Sequence, residues 1–424
     1  MALCQDTYGL LGRKLGHSFS PQIHRRLGSW PYALYEREPE AVEEFIRQEP
    51  WDGVNVTIPY KRDAARLADE QSPRVQALGV ANTLVRRPDG SIFAENTDVL
   101  GFSWMLGRFC MERLGQEACD VLRGRKAVVL GSGGASQAVR LALEEAGARV
   151  VVISRTGSET YETLAERHSD AVLMVNTTPV GMYPNCPATP VDEEALARMD
   201  GLRGVLDVVY NPCRTGICLA AERLGLPFEC GLAMLVAQAF YASELFQGHA
   251  LDEALVPQLV SKVAKSTANV VLIGMPGSGK SSSGKRLARI LGRPFVDLDD
   301  AIQMETGLSS AQIIREQGED AFRKVETGIC ATYGARSGLV IACGGGVVTR
   351  AENYPLLHQN GTIVLLDRDV RLLSSAGRPL SQTRGVEALA AERMPLYRAW
   401  ADVTVSCTGS AFGDADMIRA LLDL

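Results

Sequence analysis

The 424-residue sequence lacks the features that mark several broad classes of protein. No apolar run approaches the ~20 residues that a membrane-spanning helix needs, and no basic segment precedes an apolar core as in a signal peptide. The ten cysteines form no C-x-x-C pair, and even Cys213 and Cys218 are too isolated for a zinc site. A formal net charge of −6 gives no electrostatic footprint for nucleic acid. We therefore expect a cytoplasmic protein with free thiols that binds neither nucleic acid nor a membrane.

What the sequence does contain is the stretch GMPGSGKS, which begins at Gly274 and ends at Ser281. It fits the phosphate-loop pattern, and an apolar segment at 268–273 predicts a strand before it, while the apolar spacing over 280–291 predicts a helix after it. In that setting backbone N–H groups surround a phosphate at the positive end of a helix. Lys280 would neutralise the β- and γ-phosphates, and Ser281 would ligate Mg²⁺. The stretch predicts a nucleoside triphosphate site, with an ordinary glycine-rich turn as the alternative.

Polar side chains follow several short apolar segments in the first hundred residues. The alternation at 54–58 predicts a strand with one buried and one polar face, and the proline after it directs Lys61 onto the start of a helix. Asn82 and Asp98 also come just past short apolar segments. Because polar groups at strand ends tend to converge on a cleft, we expect a binding site there.

Two serines near the N-terminus allow two interpretations. If the segment 18–20 is extended, the hydroxyls of Ser18 and Ser20 project to one side, because strand side chains repeat every two residues. Such a pair suits a polyol or carboxylate ligand. The alternative is a turn that caps a helix.

A βαβ unit is predicted over 126–153, in which GSGGAS at 131–136 joins the first strand to the helix. Glycines at this turn are where a dinucleotide pyrophosphate would sit. Ser136 occupies the third glycine position, so a purely structural turn is the alternative. The second strand ends in Ser-Arg-Thr at 154–156, where NAD-binding units place an acid. Because the guanidinium of Arg155 attracts a 2′-phosphate, we expect NADPH over NADH.

Eight motifs between about residues 6 and 262 together resemble shikimate dehydrogenase: HSFSP, GVNVTIPYK, GVANT, ENTD, GSGGAS, SRT, VNTTPVGM and GLAMLVAQA. The resemblance implies NADPH-dependent reduction of 3-dehydroshikimate to shikimate, with Lys61 and Asp98 as the catalytic pair. A cationic Lys61 can donate a proton to the carbonyl oxygen, while Asp98 holds and tunes the amine. The implied substrate-binding residues are Ser18, Ser20, Thr57, Lys61, Asn82, Asp98, Tyr210 and Gln238. The implied NADP contacts are Gly131, Ser132, Gly133, Gly134, Ala135, Ser154, Arg155, Thr156 and Gly231.

This stretch departs from the shikimate dehydrogenase pattern in two places. Family members often have a second arginine a few residues past the position of Arg155, where this chain has Gly-Ser-Glu at 157–159. We expect Glu159 to weaken the grip on the 2′-phosphate. The segment 156–171 is also short, so we expect a trimmed strand–helix unit in the cofactor domain.

Further polar motifs follow the phosphate loop. The segment 293–300 ends in carboxylates at Asp297 and Asp299 on one face. One carboxylate could help hold Mg²⁺ through water, and the other could accept the proton of a substrate hydroxyl. The alternative is a helix N-terminus capped by acidic residues. FRKVE at 322–326 predicts a helix that presents Arg323 and Glu326 on one side, and the glycines at 344–346 admit close approach of the backbone.

With RPL at 378–380 and RMPLYR at 393–398, these motifs resemble shikimate kinase over 268–424. The resemblance implies that Lys280 and Asp299 are catalytic, with Asp299 on the acceptor hydroxyl. The implied shikimate contacts are Asp299, Arg323, Gly345 and Arg393. The implied ATP contacts are Gly277, Ser278, Gly279, Lys280, Ser281, Ser282 and Arg378, with Ser281 also the metal ligand and Arg378 on a lid. Because the chain is short between Asp367 and Arg378, no adenine-contacting arginine is placed.

The resulting prediction is an α/β protein in which a two-domain dehydrogenase, an α/β substrate domain plus a Rossmann-like NADP domain, is fused to a P-loop domain of the nucleoside-monophosphate-kinase type. The predicted boundaries are 1–101 for the substrate domain, completed by helices at 231–262, then 102–230 for the NADP domain, 263–267 for a linker and 268–424 for the kinase.

The two halves support each other, because the alcohol made by the first reaction is the acceptor of the second. We therefore expect a bifunctional enzyme of the shikimate pathway and aromatic amino-acid biosynthesis. It would use NADPH, ATP and Mg²⁺, and its partners would be the small molecules 3-dehydroshikimate and shikimate. The alternatives are a quinate-type dehydrogenase in the front half and a catalytically silent sensor built on the same folds.

Overall fold

The computed structural model describes residues 7–16, 18–373 and 385–424, which divide into two compact units. Two short segments of the front half group with the second unit, although the sequence placed them in the NADP domain. The first unit is Met1–Val180, Thr189–Tyr210 and Ala220–Val263, and the second is Gly181–Ala188, Asn211–Leu219 and Ala264–Leu424. Both units are built from helices and largely parallel sheets, and the predicted α/β class is confirmed.

The first sheet of the first unit has six strands in the order β2-β1-β3-β5-β6-β4. Strand β1 is parallel to β2 and β3, and β5 is antiparallel to β3 and β6. Its strands are β1 Tyr8–Gly12, β2 Tyr32–Glu36, β3 Gly53–Val56, β4 Glu70–Gln71, β5 Thr83–Arg86 and β6 Ile92–Glu95. The helices are α1 Ser20–Leu27, α2 Val42–Gln48, α3 Lys61–Leu67, α4 Pro73–Leu78 and α5 Thr97–Leu114.

Strand β3 differs from the prediction in where it ends and in which of its side chains are buried. It stops at Val56, and Ile58, predicted to be buried, is 76% exposed. Asn55 on the polar face is buried, because both faces of the sheet are covered. Its burial is compensated by hydrogen bonds, since Asn55 accepts from the Tyr32 hydroxyl at 2.8 Å and donates to the Thr83 hydroxyl at 3.1 Å.

The second sheet of the first unit is parallel and has the order β11-β10-β9-β7-β8. Its strands are β7 Lys126–Leu130, β8 Arg149–Ile153, β9 Leu173–Asn176, β10 Gly204–Asp207 and β11 Phe228–Glu229. The helices are α6 Ala118–Leu122, α7 Gly134–Glu145, α8 Leu164–His168, α9 Glu193–Ala197, α10 Gly216–Arg223, α11 Leu232–Gln247 and α12 Leu255–Thr267. The crossover from β8 to β9 contains only the five-residue helix α8, which fits the shortness of this segment.

The sheet of the second unit is also parallel, in the order β13-β14-β12-β15-β16. Its strands are β12 Asn269–Ile273, β13 Phe295–Asp297, β14 Val340–Ala342, β15 Gly361–Asp367 and β16 Val403–Ser406. The helices are α13 Lys280–Leu291, α14 Leu298–Thr306, α15 Ser310–Gln317, α16 Glu319–Gly334, α17 Asn353–His358, α18 Val386–Trp400 and α19 Ala411–Leu421. The residues predicted as a linker, 263–267, form the end of α12, so the connection to β12 is helical.

The strands bring their carboxyl ends to the functional regions because parallel strands point the same way. Strand β12 is buried over its whole length, and its carboxyl end leads directly into the phosphate loop. Among the described residues, no helix combines the length and apolar character needed to cross a bilayer.

Candidate active sites

Lys61, Asp98 and Asn82 lie together where three elements of the first unit begin. Lys61 starts α3, Asp98 lies in the first turn of α5, and Asn82 immediately precedes β5. The Asp98 Oδ2 atom is 2.5 Å from Lys61 Nζ, and the Asn82 amide donates to Asp98 Oδ1 at 2.9 Å. The Lys61 and Asp98 side chains are only 20% and 15% exposed, so this ion pair is partly shielded from solvent.

A buried hydrogen-bond network orients Asn82, and sequence reasoning missed it. Asn82 Oδ1 accepts from the backbone N–H of Thr97 at 2.7 Å, which leaves its amide group directed at Asp98. The Thr83 and Thr97 hydroxyls are 3.0 Å apart, and Thr83 also contacts Asn55. The available signal was that both threonines sit beside predicted site residues, in GVANT and ENTD.

The segment with the two predicted serines forms a turn at the start of α1, so the extended interpretation is wrong. Phe19 has helical backbone angles, φ −83° and ψ −7°, and the Ser18 hydroxyl accepts from the Ser20 N–H at 3.2 Å. The Pro21 that follows favours this helix start, because its fixed φ suits a first helical turn. The Phe19 ring lies 5.4 Å from the Tyr210 ring, which brings two predicted substrate-binding segments together. Burial raises the pKa of the Tyr210 phenol, so Tyr210 remains a hydrogen-bond donor at neutral pH.

Thr57 and Gln238, the other predicted substrate contacts, are held by neighbouring backbone. Thr57 follows β3 and its N–H donates to the Leu11 carbonyl at 2.9 Å. Gln238 lies on α11 and donates through Nε2 to the Leu235 carbonyl at 2.9 Å. A Cβ at Gly101 would lie 2.8 Å from the Gln238 backbone nitrogen, so α5 and α11 approach closely one turn after Asp98.

The glycine-rich turn after β7 leaves the start of α7 open. Gly131 has a φ of +99°, which favours glycine, and its N–H donates to the Ile153 carbonyl at 2.8 Å. A Cβ at Gly133 or Gly134 would meet no atom within 4 Å, so backbone N–H groups at this helix end face open space. The predicted contacts Ser132 and Ala135 flank these glycines. A phosphate fits such a helix N-terminus.

At Gly231 the start of α11 lies very close to the backbone that follows β10. Gly231 precedes α11, and a Cβ there would lie 2.1 Å from the Val208 carbonyl oxygen. Only glycine therefore fits between the start of α11 and the segment that follows β10.

The exposed residues Arg155 and Thr156 follow β8, after the half-buried Ser154. The Ser154 N–H donates to the Glu159 carbonyl at 3.1 Å, which closes the loop. The Glu159 carboxylate lies 2.7 Å from the Arg167 guanidinium and 3.1 Å from the His168 ring. Arg167 therefore compensates the charge that we expected to repel a 2′-phosphate.

The phosphate loop of the second unit is shaped to receive a phosphate. Gly277 and Gly279 have φ values of +87° and +102°. The Lys280 ammonium donates to the Gly274 and Met275 carbonyls at 2.9 and 3.0 Å, which holds it under the loop. The Ser278 hydroxyl is buried and has no hydrogen-bond partner among the described residues, as expected if a ligand completes the site.

Ser281 and Asp297 are the residues that could hold Mg²⁺ beside the phosphate loop. The Ser281 hydroxyl donates to Asp297 Oδ2 at 2.5 Å, and the predicted ATP contact Ser282 is next in the chain. Among the described residues, no group of three or more His, Cys, Asp or Glu side chains could hold a metal. The two oxygen ligands nevertheless fit Mg²⁺, which keeps several waters and binds substrate phosphates.

Asp297 and Asp299 lie at the acidic N-terminus of α14, as the alternative interpretation of this pair predicted. Asp297 caps α14 by accepting from the Asp299 N–H at 3.1 Å, and it also contacts Ser281. Asp299 accepts from the Ser310 hydroxyl at 2.9 Å. Although Asp299 keeps contact with solvent, desolvation by the surrounding protein raises its pKa, against the opposing Ser310 hydrogen bond.

Arg323 and Glu326 form a buried ion pair on α16. The pair distance is 2.7 Å, and the two side chains are 4% and 1% exposed. Burial raises the pKa of Glu326, and the charge of Arg323 opposes that shift. A Cβ at Gly346 would lie 2.1 Å from the Arg323 guanidinium, so this glycine makes room for it.

Gly345 and Arg393 are joined directly. The Gly345 carbonyl accepts from Arg393 Nη1 at 3.1 Å and also from the Tyr397 hydroxyl. Arg393 lies on α18. Among the described residues, neither its Nε nor the Nε of Arg323 has a hydrogen-bond partner. Both guanidiniums therefore retain donors for an anionic ligand.

A cavity of about 650 Å³ connects these groups within the second unit. Its walls include the phosphate loop, Asp299, Arg323, Gly345, Arg393 and Arg368. Sequence reasoning missed Arg368, which directly follows β15 and whose Nε has no hydrogen-bond partner among the described residues. The signal was a basic residue at a strand end. The predicted lid residue Arg378 lies outside the described residues.

Comparisons with known proteins cover both halves of the chain. Residues 10–84 match the family model for the shikimate dehydrogenase substrate binding domain, and residues 276–420 match that for shikimate kinase. The shikimate dehydrogenase (NADP(+)) of Clostridium beijerinckii is 34% identical over 277 residues, which are 60% of this chain and 97% of that protein.

Solved structures resemble the front half. A chorismate mutase/shikimate 5-dehydrogenase fusion protein from Clostridium acetobutylicum is 32% identical with a TM-score of 0.55, covering 62% of this chain and 97% of that one. Shikimate 5-dehydrogenase from Thermus thermophilus, solved in complex with NADP(H) and shikimate, is 30% identical with a TM-score of 0.51, covering 61% and 99%. The chain therefore belongs to the shikimate dehydrogenase family over its front half and carries a shikimate kinase domain over residues 276–420.

Proposed function

We propose that this chain catalyses two consecutive steps of the shikimate pathway. The first is the NADPH-dependent reduction of 3-dehydroshikimate to shikimate, and the second is the phosphorylation of shikimate to shikimate 3-phosphate by ATP and Mg²⁺. The observation that carries the proposal is that one chain holds both the Lys61–Asp98 pair and a phosphate loop facing Asp299 across one cavity. The product of the first reaction is the acceptor of the second.

In the dehydrogenase reaction, reduction of a ketone requires a hydride at carbon and a proton at oxygen. NADPH supplies the hydride when it is bound. Lys61 donates the proton, and Asp98 holds the ammonium beside the carbonyl with the help of Asn82. Because the ion pair is partly shielded, Lys61 is held in one position rather than hydrated freely.

The remaining substrate contacts surround this pair in our proposal. The hydroxyls of Ser18, Ser20 and Thr57 and the groups of Tyr210 and Gln238 bind the hydroxyl and carboxylate groups of the substrate. Support comes from the family match and from the contact of Phe19 with Tyr210. Arg155 and Thr156 receive the 2′-phosphate of the cofactor, and the glycines of the β7–α7 turn receive its pyrophosphate.

In the kinase reaction, ATP supplies the phosphoryl group, and Mg²⁺ when bound would neutralise negative charge on its phosphates. Lys280 and the loop backbone would hold the phosphates, and Ser281 and Asp297 would hold the metal. Asp299 accepts the proton of the acceptor hydroxyl, and its raised pKa makes it a stronger base than an ordinary aspartate. Arg323 and Arg393 bind the carboxylate of shikimate, because guanidiniums pair well with planar anions.

Arg368 acts on the nucleotide side of this site. It follows β15, whereas Asp299 and Gly345 follow β13 and β14, and the phosphate loop follows β12 between them. Acceptor and nucleotide therefore extend to opposite sides of the loop. Arg378 remains a proposed lid residue on the basis of its motif.

The domain assignment is part of the proposal. Residues 1–101 with the helices at 231–262 bind the substrate of the first reaction, residues 102–230 bind NADP, and residues 268–424 form the kinase. We place the protein in the cytoplasm, which is supported by nine cysteines that are all free thiols among the described residues.

The alternatives fit the site less well. A quinate-type dehydrogenase that uses NAD would gain nothing from the exposed Arg155 after β8. A silent sensor would have no need of Lys61, Asp98, Lys280 and Asp299, which are all present with their partners.

Two assays on the purified chain test the proposal. Shikimate-dependent reduction of NADP⁺ reports the first reaction, and shikimate-dependent release of ADP reports the second. Lys61→Ala should remove only the first activity and Lys280→Ala only the second. Matched controls are Lys126→Ala, which loses a surface pair with Asp170, and Lys285→Ala on α13. Absence of either activity from the wild-type chain contradicts the proposal, as does a substitution that fails to remove its own activity.

A further inference from the structure

A line of buried polar side chains crosses the first sheet of the first unit and ends at the Lys61–Asp98 pair. It starts at Tyr32 on β2, passes β1, and reaches Asn55 on β3 and then Thr83, the cross-strand partner of Asn55 on β5. We call Tyr32, Asn55 and Thr83 the orienting chain. All three are buried, so each depends on its neighbours in the protein for hydrogen bonds.

The orienting chain meets the catalytic pair at Asn82, whose amide NH₂ group must face Asp98 in order to hold it. The Asn82 Oδ1 atom accepts from the Thr97 N–H at 2.7 Å, and the hydroxyls of Thr83 and Thr97 each lie 3.2 Å from it. Those two hydroxyls are 3.0 Å apart. Because they cannot both donate to each other, at least one hydrogen is directed at Asn82 Oδ1 as long as both hydrogens stay within this group.

Asn55 keeps the hydrogen of Thr83 within the group. Asn55 Nδ2 donates to the Thr83 hydroxyl oxygen at 3.1 Å, so the Thr83 hydrogen points away from Asn55 and toward Asn82 or Thr97. If the Asn55 amide were reversed, Thr83 would donate to Asn55 and would turn its lone pairs toward Asn82 Oδ1. The orientation of the Asn55 amide therefore decides whether Thr83 supports the orientation of Asn82.

Tyr32 fixes the Asn55 amide. Its hydroxyl donates to Asn55 Oδ1 at 2.8 Å, while Asn55 Nδ2 lies 3.4 Å from the Asn82 backbone carbonyl, which can only accept. Burial raises the pKa of the Tyr32 phenol well above its usual value, so the phenol remains a donor near neutral pH. The ring of His24 on α1 stacks on the Tyr32 ring with 4.1 Å between the centroids, which holds the phenol in place.

We propose that the orienting chain positions the catalytic pair, so that its three members are positioning residues for the dehydrogenase reaction. Each of its hydrogen bonds directs the next, and the last one turns the Asn82 amide toward Asp98, which holds the Lys61 ammonium. The proposal rests on the proposed function, because it takes Lys61 as the proton donor. Since a misplaced donor slows the chemical step even when substrate is bound, the effect should appear in kcat.

Two substitutions of Thr83 separate hydrogen bonding from packing. Thr83→Val keeps the shape of the side chain and removes the hydroxyl, whereas Thr83→Ser keeps the hydroxyl and removes a methyl group. We expect Thr83→Val to lower the kcat of shikimate-dependent NADP⁺ reduction about tenfold, and Thr83→Ser to change it less than about twofold. The KM for NADP⁺ should stay unchanged in both variants. A residue that only fills space would give the opposite order, because the missing methyl group leaves a cavity.

A matched pair of buried tyrosines tests the far end of the orienting chain. Tyr32→Phe removes the donor to Asn55 and should lower kcat about three- to tenfold, as expected for the loss of one hydrogen bond. Tyr8→Phe on β1 is the control, because Tyr8 is buried in the same apolar cluster and its hydroxyl bonds to the Phe246 carbonyl at 3.4 Å. It should leave kcat unchanged.

A double-mutant cycle identifies the route of the effect. If Tyr32 acts through Asn82, Tyr32→Phe should lower kcat no further in a chain that already carries Asn82→Ala. Full additivity of the two substitutions would contradict the proposed route.

Two further outcomes would overturn the inference. An unchanged kcat in Tyr32→Phe or in Thr83→Val shows that Asn82 keeps its orientation without the orienting chain. An equal fall in Thr83→Val and Thr83→Ser, or in Tyr32→Phe and Tyr8→Phe, shows that these residues only maintain the fold. Failure of the proposed function would look different, because the wild-type chain would then lack shikimate-dependent reduction of NADP⁺.

Discussion

The carboxylate of Asp98 binds Lys61 through one oxygen at 2.5 Å and Asn82 through the other at 2.9 Å. The two contacts fix the plane of the carboxylate, and with it the direction in which Lys61 presents its ammonium group. Asp98 therefore holds the Lys61 Nζ, and Asn82 in turn holds Asp98. This arrangement assigns Asp98 an orienting role in addition to its charge.

Asp98→Asn should lower the dehydrogenase kcat by about 10²-fold, the lower range of what a positioned proton donor contributes. The amide keeps the size of the side chain but loses the charge that holds Lys61. Steady-state measurement of NADPH formation gives the value. Asp170→Asn is the control, because Asp170 pairs with Lys126 at the surface, where an ion pair contributes about 0–1 kcal/mol. An unchanged kcat in Asp98→Asn would show that Lys61 needs no carboxylate partner.

Cofactor preference should depend on Arg155 and only weakly on Glu159. Arg155→Ala removes a guanidinium from the 2′-phosphate, so the KM for NADPH should rise about 10- to 100-fold while that for NADH stays unchanged. Arg140→Ala, which removes an exposed arginine of α7 that pairs with Glu144, is the control.

Glu159→Gln tests whether the Glu159 charge affects cofactor preference. Because Arg167 already compensates the Glu159 carboxylate at 2.7 Å, we expect less than about a threefold change in the KM for NADPH. A gain in NADPH affinity of about tenfold, or roughly 1.4 kcal/mol, would instead show that the Glu159 charge acts on the 2′-phosphate.

The kinase should lose activity at low pH through Asp299. Desolvation raises the pKa of Asp299, so its carboxylate takes up a proton at a higher pH than an ordinary aspartate does. Activity that needs the ionised form is present above the raised pKa and falls as the pH drops through it. Ser310→Ala removes a hydrogen bond that favours the charged form, and the acidic limb of the kcat profile should move to higher pH. Asp320→Asn, at an exposed site, should leave the limb in place; a limb that Ser310→Ala does not move would exclude Asp299 as its origin.

Much of the fold could be predicted from the sequence because local patterns and tertiary structure agree. The helix predicted at 280–291 and the strand predicted at 149–153 have those bounds, since each has an unbroken apolar pattern and glycine at or near its ends. The exposure of Ile58 was missed, and the segment 18–20 was left with two interpretations, because a short segment fits more than one backbone conformation. Side-chain partners outside the predicted motifs were missed for another reason. The contacts of Arg167 with Glu159 and of Asn360 with Cys213 depend on how the chain folds back, which spacing alone does not specify.

Gly346→Ala should weaken shikimate binding by the kinase. The added Cβ would lie 2.1 Å from an Arg323 nitrogen, so the guanidinium must leave its position beside Glu326. The φ of Gly346 is −104°, which alanine adopts readily, and the effect is therefore steric rather than conformational. We expect the KM for shikimate in ADP release to rise about tenfold, the loss of one charge-assisted hydrogen bond. Gly328→Ala on α16 is the control, because a Cβ there meets no atom within 4 Å; equal constants for both variants would contradict the role of Arg323.

Arg368 gives the sharpest test of the nucleotide side of the kinase site. Its guanidinium borders the phosphate-loop cavity, and its Nε has no hydrogen-bond partner among the described residues, so a bound nucleotide is the ligand that would complete it.

Arg368→Ala should therefore raise the KM for ATP about tenfold, as expected for the loss of one contact to an anion or an aromatic base, and leave the KM for shikimate unchanged. Arg371→Ala is the matched control three residues away, because Arg371 is 85% exposed and bonded to Asp369. A change in the KM for ATP without a change in the KM for shikimate would assign Arg368 to the nucleotide side. Since Arg368 follows β15 and the acceptor residues follow β13 and β14, a rise in the KM for shikimate alone would mean that the nucleotide and the acceptor occupy the opposite sides of the loop from those proposed.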